Sequence, residues 1–167
     1  TVNRVSLEPS SNIALPLFSE AHRLLEMDVD LEVQDDDDNE DEGEEQRDLL
    51  AEMELTARLM ITGGEAKEDE KMSRADRSAI RQAILLAAEK TSQETPPRQV
   101  LTGDVKAALE ELSHRPDIRP ERASRLADMA EAMDIFCTGV NGRFFNREGE
   151  IWPEADITLV DLAMFAR

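Results

Sequence analysis

Apolar residues recur at helical spacing along most of the chain, and this pattern predicts a mainly α fold. Several helix ends carry their own signals. Pro16 and Pro120 suit the first position of a helix, where the missing N–H of proline loses no hydrogen bond. Ser73 with Asp76 makes a capping box, and Thr102 suits an N-cap. The predicted helices comprise residues 16–27, 46–61, 73–91, 102–113 and 120–137.

The helical pattern stops after Gly139, in a region that holds the only Trp and most of the Phe. Residues 143–145 and 150–152 flank four residues with turn chemistry, 146–149, so a small hairpin or a compact loop is predicted. The apolar run at 157–162 predicts a strand.

The predicted fold class is therefore mainly α: a helical bundle of about five helices with a small C-terminal β-hairpin or strand segment. Residues 1–137 are expected to form an all-helical subdomain. Its first residues, 1–7, are expected to be an extended segment that leads into the helices. Residues 138–167 are expected to form the hairpin and the strand.

Residues 28–45 are an acidic low-complexity block, for which a mobile loop is predicted because the charges repel one another. A calcium loop is a second interpretation, since Asp37, Asn39 and Asp41 have the alternate spacing of an EF-hand. However, Glu42 stands where that loop needs glycine, and Asp48 stands at its terminal Glu position. A third interpretation is an acidic arm that docks a partner.

The overall charge limits the possible partners. The chain has 38 Asp and Glu against 19 Lys and Arg, a formal net charge of -19, and such a surface repels phosphates. Tyr is absent, and few aromatic rings are available to stack on bases. We therefore expect no direct nucleic-acid binding.

The single Cys137 excludes an internal disulfide and is predicted to be a small buried residue near a helix end. The sequence shows neither a signal peptide nor an apolar run long enough to cross a bilayer, which predicts a soluble, cytoplasmic protein without a transmembrane segment. The chain also lacks an initiator Met, as expected either for a piece of a longer protein or for a processed one.

A search for catalytic, cofactor-binding and metal-binding residues predicts none. A phosphate-binding P-loop needs a Gly-Lys pair, which the chain lacks, and the Gly63–Gly64 pair is interpreted as a helix C-cap. Asp161 closes an apolar run as a magnesium-binding carboxylate does, but no second carboxylate follows it. His22 and His114 have no neighbouring ligand at zinc spacing and are interpreted as exposed helix-end residues.

Seven short segments, spread over nearly the whole chain, carry a family likeness: 6–9 (SLEP), 58–66 (RLMITGGEA), 79–88, 136–139 (FCTG), 142–146 (GRFFN), 152–156 (WPEAD) and 159–162 (LVDL). They resemble the conjugative-transfer ATPases of type IV secretion systems, the TraC-like branch. In that family a RecA-like ATPase core is interrupted by an all-helical subdomain, between its phosphate-binding loop and its magnesium-binding strand.

The resemblance implies that this chain is the helical insertion together with the connection back into the core. Both nucleotide motifs would then lie outside residues 1–167, and ATP and Mg would be bound by the parent protein. The implied partners are the RecA-like core of the same chain, other subunits of an oligomeric motor and the secretion-channel proteins, at the cytoplasmic face of the inner membrane.

Motor-docking residues are expected in the aromatic C-terminal region: Phe144, Phe145, Trp152 and Asp161. For the three aromatic residues, packing within the chain is the alternative. If the strand at 157–162 pairs only with core strands of the parent, it lacks a partner here, and its open edge favours self-association.

Two other functions remain open at this stage. The first is a free-standing acidic helical adaptor that binds a basic protein partner through the acidic block. The second is a small independent hydrolase, for which the abundant carboxylates offer an acid and a base but no selected pair.

Overall fold

The computed structural model describes residues 2–6, 13–26, 42–149 and 156–161. Within these ranges the fold is mainly helical, with one short pair of strands, so the predicted fold class is confirmed. The elements, in chain order, are β1 (Val2–Ser6), a first 3-10 helix (Ser19–Leu25), α1 (Glu42–Thr62), α2 (Ala66–Glu70), α3 (Arg74–Ser92), α4 (Thr102–Ser113), α5 (Pro120–Met133), a second 3-10 helix (Asp134–Phe136), α6 (Gly139–Phe145) and β2 (Ile157–Asp161).

The main hydrophobic core is built around α3. This helix packs against α1, α4 and the first 3-10 helix, and α5 packs against both α1 and α4. Ile80, Ala83 and Ile84 of α3 are completely buried, together with Phe18 and Leu109. We call the packed unit of α1 to α5 and the first 3-10 helix the helical body.

The capping signals in the sequence explain where several helices begin and end. Ser73 accepts a hydrogen bond from the Asp76 N–H at 3.1 Å, and the Asp76 carboxylate accepts one from the Ser73 N–H at 3.0 Å. Gly63 and Gly64 follow α1 with φ of +65° and +74°, a conformation that favours glycine. Pro120 is the first residue of α5, as predicted.

Four details of the helices differ from the sequence prediction. The predicted loop at 65–72 contains the short helix α2, and α1 begins at Glu42, inside the acidic block. The first helix is a 3-10 helix that begins only at Ser19. Thr102 is the first helical residue and not the N-cap, because Leu101 has the extended backbone of that position. Residues 28–41 of the acidic block, predicted to be mobile, lie outside the described residues.

The hairpin prediction is wrong for its first arm, since Arg143, Phe144 and Phe145 belong to α6. Glycine makes this short helix possible. A Cβ on Gly142 would lie 2.5 Å from the carbonyl oxygen of Cys137, so only glycine lets the helix pack this closely on the preceding turn. The second arm, at 150–152, lies outside the described residues.

The predicted strand forms as β2, but the expectation that it lacks a partner within the chain is wrong. β2 pairs with β1 in parallel, in a register that runs from Val2 opposite Ile157 to Ser6 opposite Asp161. Parallel neighbours cannot be joined by a tight turn, and here all the helices that the structure describes lie in the crossover between them.

Candidate functional site

Two of the predicted docking residues, Phe144 and Phe145, lie in α6 where it meets β1. Phe144 is 1% exposed and packs with Val5 of β1 in a second, small hydrophobic cluster. Phe145 touches this cluster and the main core, and its ring meets Phe136 edge to face at a centroid distance of 5.6 Å. Both rings therefore pack within the chain and connect the sheet to the helical body.

The other two predicted docking residues are Asp161 and Trp152. Asp161 is half-buried at the end of β2, opposite Ser6 of β1. Trp152 lies outside the described residues. Of the predicted set, the structure thus places Phe144 and Phe145 in one packed region.

One face of the sheet exposes three large apolar side chains that sequence reasoning did not select. Val2, Ile157 and Leu159 are 67%, 54% and 55% exposed. Side chains that are opposite each other in a parallel pair point to the same face, so Val2, Ile157 and Leu159 share one face, which we call the outer face. Val5 points to the opposite side, toward Phe144. The apolar run at 157–162 was the sequence signal for β2, whereas Val2 and Val5, three positions apart, do not follow the two-residue alternation of a one-sided strand.

Residues 144–149 are held by hydrogen bonds to two other parts of the chain, and we call residues 144–149 the clasp. The Leu15 N–H donates to the Phe144 carbonyl at 2.6 Å, and Arg147 donates to the Ile13 carbonyl at 3.2 Å. These bonds connect the clasp to the segment that follows β1.

The clasp also binds the region where α4 begins. Thr102 Oγ1 donates to the Phe145 carbonyl at 2.6 Å, and the Gly103 N–H donates to Asn146 Oδ1 at 2.7 Å. The Gln99 N–H donates to Glu148 at 2.9 Å. No local sequence pattern identifies Asn146 as the hydrogen-bond acceptor for α4, because its partner Gly103 is 43 residues away.

Two buried carboxylates inside the helical body are each held by arginines. Glu54 is 4% exposed and accepts a hydrogen bond from Arg81 at 2.5 Å, with Arg58 3.7 Å from its other oxygen. Asp76, also 4% exposed, pairs with Arg122 and lies 3.4 Å from Arg125. These ion pairs join α1 to α3 and α3 to α5.

The environment of Asp76 keeps its carboxylate ionised. Burial acts to raise the pKa of Asp76, but hydrogen bonds from Arg122 and the Ser73 N–H, with the charge of Arg125, outweigh burial, so the pKa lies below its ordinary value. A carboxylate with a lowered pKa is a poor proton donor at neutral pH. Asp76 therefore acts as a structural ion-pair partner and not as a general acid.

The cysteine and the histidines show no arrangement for nucleophilic catalysis. Burial raises the pKa of the Cys137 thiol to about 11, so the thiol stays protonated at neutral pH. His114 is exposed, as predicted. The same prediction is wrong for His22, which is half-buried, with its Nε2 atom 2.8 Å from Thr91 Oγ1. The Thr91 hydroxyl donates to the Ala87 carbonyl, so His22 is the donor in the pair.

A groove of about 430 Å³ lies between α3 and the connection from α4 to α5. Buried Ala79, Leu112 and Leu126 contribute apolar surface, while Arg115 and Asp117 contribute exposed charged groups. This combination offers surface for weak contacts but no converging acid, base and nucleophile.

Potential metal ligands lie apart in the part of the chain that the structure describes. Among the residues that the structure describes, no group of three or more His, Cys, Asp or Glu side chains is placed to hold a metal ion. Asp37, Asn39 and Asp41, which suggested the calcium loop, fall outside those residues, and Asp48 lies within α1. The described helices include none that is long and apolar enough to cross a membrane.

Comparisons of the chain with protein-family models, with curated proteins and with solved structures give no match.

Proposed function

We propose that this chain is the helical subdomain of a motor ATPase that powers conjugative DNA transfer or assembly of its type IV secretion channel. The subdomain is an insertion between two parallel strands of the RecA-like core, and it has no nucleotide site of its own. ATP and Mg are bound by the parent protein, in which this subdomain contacts the core, neighbouring motor subunits and channel proteins at the inner-membrane face.

The parallel pairing of β1 with β2 is the observation that carries this proposal. Val2 and Ile157 are direct neighbours, although the whole helical body lies between them in the sequence. An insertion into a sheet has this geometry, because the chain leaves along one strand and returns along its neighbour. Parallel sheets are normally covered on both faces, so the exposed Val2, Ile157 and Leu159 favour additional structure over the outer face.

The family resemblance of segments such as 136–139 and 159–162 supplies the particular motor class. The absence of a Gly-Lys pair agrees with a phosphate-binding loop elsewhere in the parent. Residues of the chain then transmit or guide movement, and hydrolysis takes place in the core.

The most direct test is the gene sequence on both sides of the codons for Thr1 and Arg167. We expect an in-frame P-loop upstream and an apolar strand that ends in an acidic residue downstream. A reading frame that opens just before Thr1 without a P-loop would contradict the proposal, as would ATP turnover by residues 1–167 alone.

A second test compares residues 1–167 with the longer protein by hydrogen exchange. Additional strands and a covering layer should slow exchange of the β2 amides in the longer protein, while amides in the middle of α3 serve as the unchanged reference. Equal exchange of β2 in both proteins would show that the sheet gains no neighbour.

The acidic adaptor is the second candidate, which the charge distribution favours. Twelve of the 18 residues at 28–45 are Asp or Glu, and none is basic. An oligolysine peptide, titrated at about 0.15 M salt where exposed charges are screened beyond about 8 Å, tests it. The adaptor is favoured if the peptide binds stoichiometrically and deletion of residues 28–41 abolishes the binding. Equally weak binding by the wild-type protein and the deletion variant would contradict the adaptor.

A further inference from the structure

Helix α4 receives its N-terminal cap from a distant residue. Leu101, at the N-cap position, has no side-chain oxygen, so it cannot accept a hydrogen bond from the first turn. Asn146 supplies this oxygen, and Oδ1 accepts from the Gly103 N–H at 2.7 Å. The other end of the same amide donates to the Cys137 carbonyl at 3.2 Å, which fixes its orientation.

Gly103 is the residue that lets the Asn146 amide approach the backbone of α4. A Cβ at position 103 would lie 2.8 Å from Asn146 Oδ1, closer than real Cβ contacts, so any larger residue must displace the amide. That displacement lengthens and weakens the hydrogen bond from the Gly103 N–H. The cap therefore depends on both Asn146 and Gly103.

The clasp also determines how easily the two strands find each other. Without it, the folded helical body still holds Phe18 and Phe136 in one core, so pairing of β1 with β2 closes about 30 connecting residues. The bonds from Leu15 to Phe144 and from Arg147 to Ile13 bring the two connecting segments closer together, which leaves about 15 residues to close. With closure probability falling as the 3/2 power of loop length, the clasp favours strand pairing by roughly 3-fold.

We propose that the clasp couples the sheet to α4, so that the first turn of α4 and the β1–β2 pair gain and lose order together. Asn146 is the positioning residue that connects them, because it caps α4 and belongs to the segment that leads to β2. A displacement of the strands is passed through Asn146 to α4. This coupling concerns residues 1–167 alone and holds whether or not they belong to a motor.

Hydrogen exchange of Asn146→Ala, read at residues 2–6, 103–106 and 157–161, tests the coupling. Loss of a cap should speed exchange in the first turn of α4 by roughly 2- to 30-fold. Coupling requires faster exchange in both strands as well, by roughly 3-fold. Asn141→Ala is the matched control, since Asn141 is a half-buried residue of α6 outside the clasp, and it should leave all three regions unchanged.

Gly103→Ala separates coupling from general loss of stability. Alanine is a better helix former than glycine, so α4 gains intrinsic helix propensity while the hydrogen bond to the displaced Asn146 amide weakens. Faster exchange in β1 and β2 of this variant supports the proposal, even if Asn146→Ala fails to fold. Unchanged strand exchange in Gly103→Ala overturns it, and Asn146 is then only a local cap.

Discussion

The helical body and the sheet bury their apolar side chains to very different degrees. In α3, Ile80 and Ile84 are 0% exposed, with neighbouring helices on several sides. In the sheet, Ile157 and Leu159 remain 54% and 55% exposed on the outer face. The same kind of side chain is thus fully buried in one region and half in water in the other.

This contrast shows which part of the chain is self-sufficient. Burial of apolar area stabilises a helix bundle without further partners, whereas a two-stranded sheet is marginal in water. The sheet here persists because Val5 packs on Phe144 and because the clasp holds both connecting segments. The helical body explains the stability of the chain, and the sheet is the part that additional structure would complete.

An isoleucine-to-alanine substitution should change stability far more in the helical body than in the sheet. Ile84→Ala removes a completely buried side chain and leaves a cavity, which should lower the free energy of unfolding by about 2–5 kcal/mol. Ile157→Ala removes a side chain that is half in water and should cost less than about 1 kcal/mol. Urea denaturation of both variants measures the difference.

Similar losses of unfolding free energy in the two isoleucine variants would contradict the difference in burial between the two regions. They would show that the outer face is covered in solution. If the loss in Ile157→Ala grew with protein concentration, a second copy would be the cover.

The next effect concerns Asp76, the buried carboxylate between α3 and α5. Asp76→Asn weakens charge-assisted hydrogen bonds to Arg122 and should cost about 2 kcal/mol near neutral pH. Because folding lowers the pKa of Asp76, its ionisation stabilises the protein above pH 3.8, and this stability is lost as pH falls through the folded-state pKa. Between these two pKa values the unfolded state binds more protons, so the stability of the wild-type protein rises with pH.

The stability of Asp76→Asn should therefore depend less steeply on pH below about 4 than that of the wild-type protein. Denaturant titrations from pH 2.5 to 7 measure this slope. Asp128→Asn, an exposed residue of α5, is the control and should follow the wild-type curve. A variant curve parallel to the wild-type curve at every pH would remove Asp76 from the acid-sensitive groups.

Local signals in the sequence were enough to predict the helical body. The apolar stripe around Ile80 and Ile84, the Ser73 capping box and Pro120 each act within a few residues, so periodicity and capping rules detect them. Even there, the ion pairs between helices, Glu54 with Arg81 and Asp76 with Arg122, were not predictable, since each joins residues at least 27 positions apart.

The sheet end was less predictable because its structure depends on distant partners. Phe144 and Phe145 were read as a strand, but their rings are placed by Val5 and Phe136, in a helix that Gly142 makes possible. The pairing of β1 with β2 spans nearly the whole chain, and one sequence contains no signal for such a register. The strand at 157–161 was recognised, but its partner was not.

A smaller effect is expected at the capping box of α3. Ser73→Ala removes the acceptor of the Asp76 N–H and should lower the free energy of unfolding by about 1 kcal/mol. Ser124→Ala, at an exposed position in α5, is the control and should change stability by less than about 0.5 kcal/mol. Thermal unfolding measures both, and an equal effect of the two substitutions would contradict a contribution from the cap.

The smallest effect on stability, and the sharpest test of the sheet, is expected from Leu159→Lys. A lysine on the outer face should change the free energy of unfolding by less than about 0.5 kcal/mol, since Leu159 is 55% exposed. It should nevertheless reduce self-association, because a charge on a strand opposes pairing with another sheet. Light scattering against protein concentration measures this, with Leu55→Lys as the control, since Leu55 is similarly exposed at 49% but lies on α1.

If only Leu159→Lys lowers association, the outer face of the sheet is the surface through which the chain self-associates. If the wild-type protein stays monomeric at high concentration, the outer face does not drive self-association, and the comparison between the two regions then rests on burial alone.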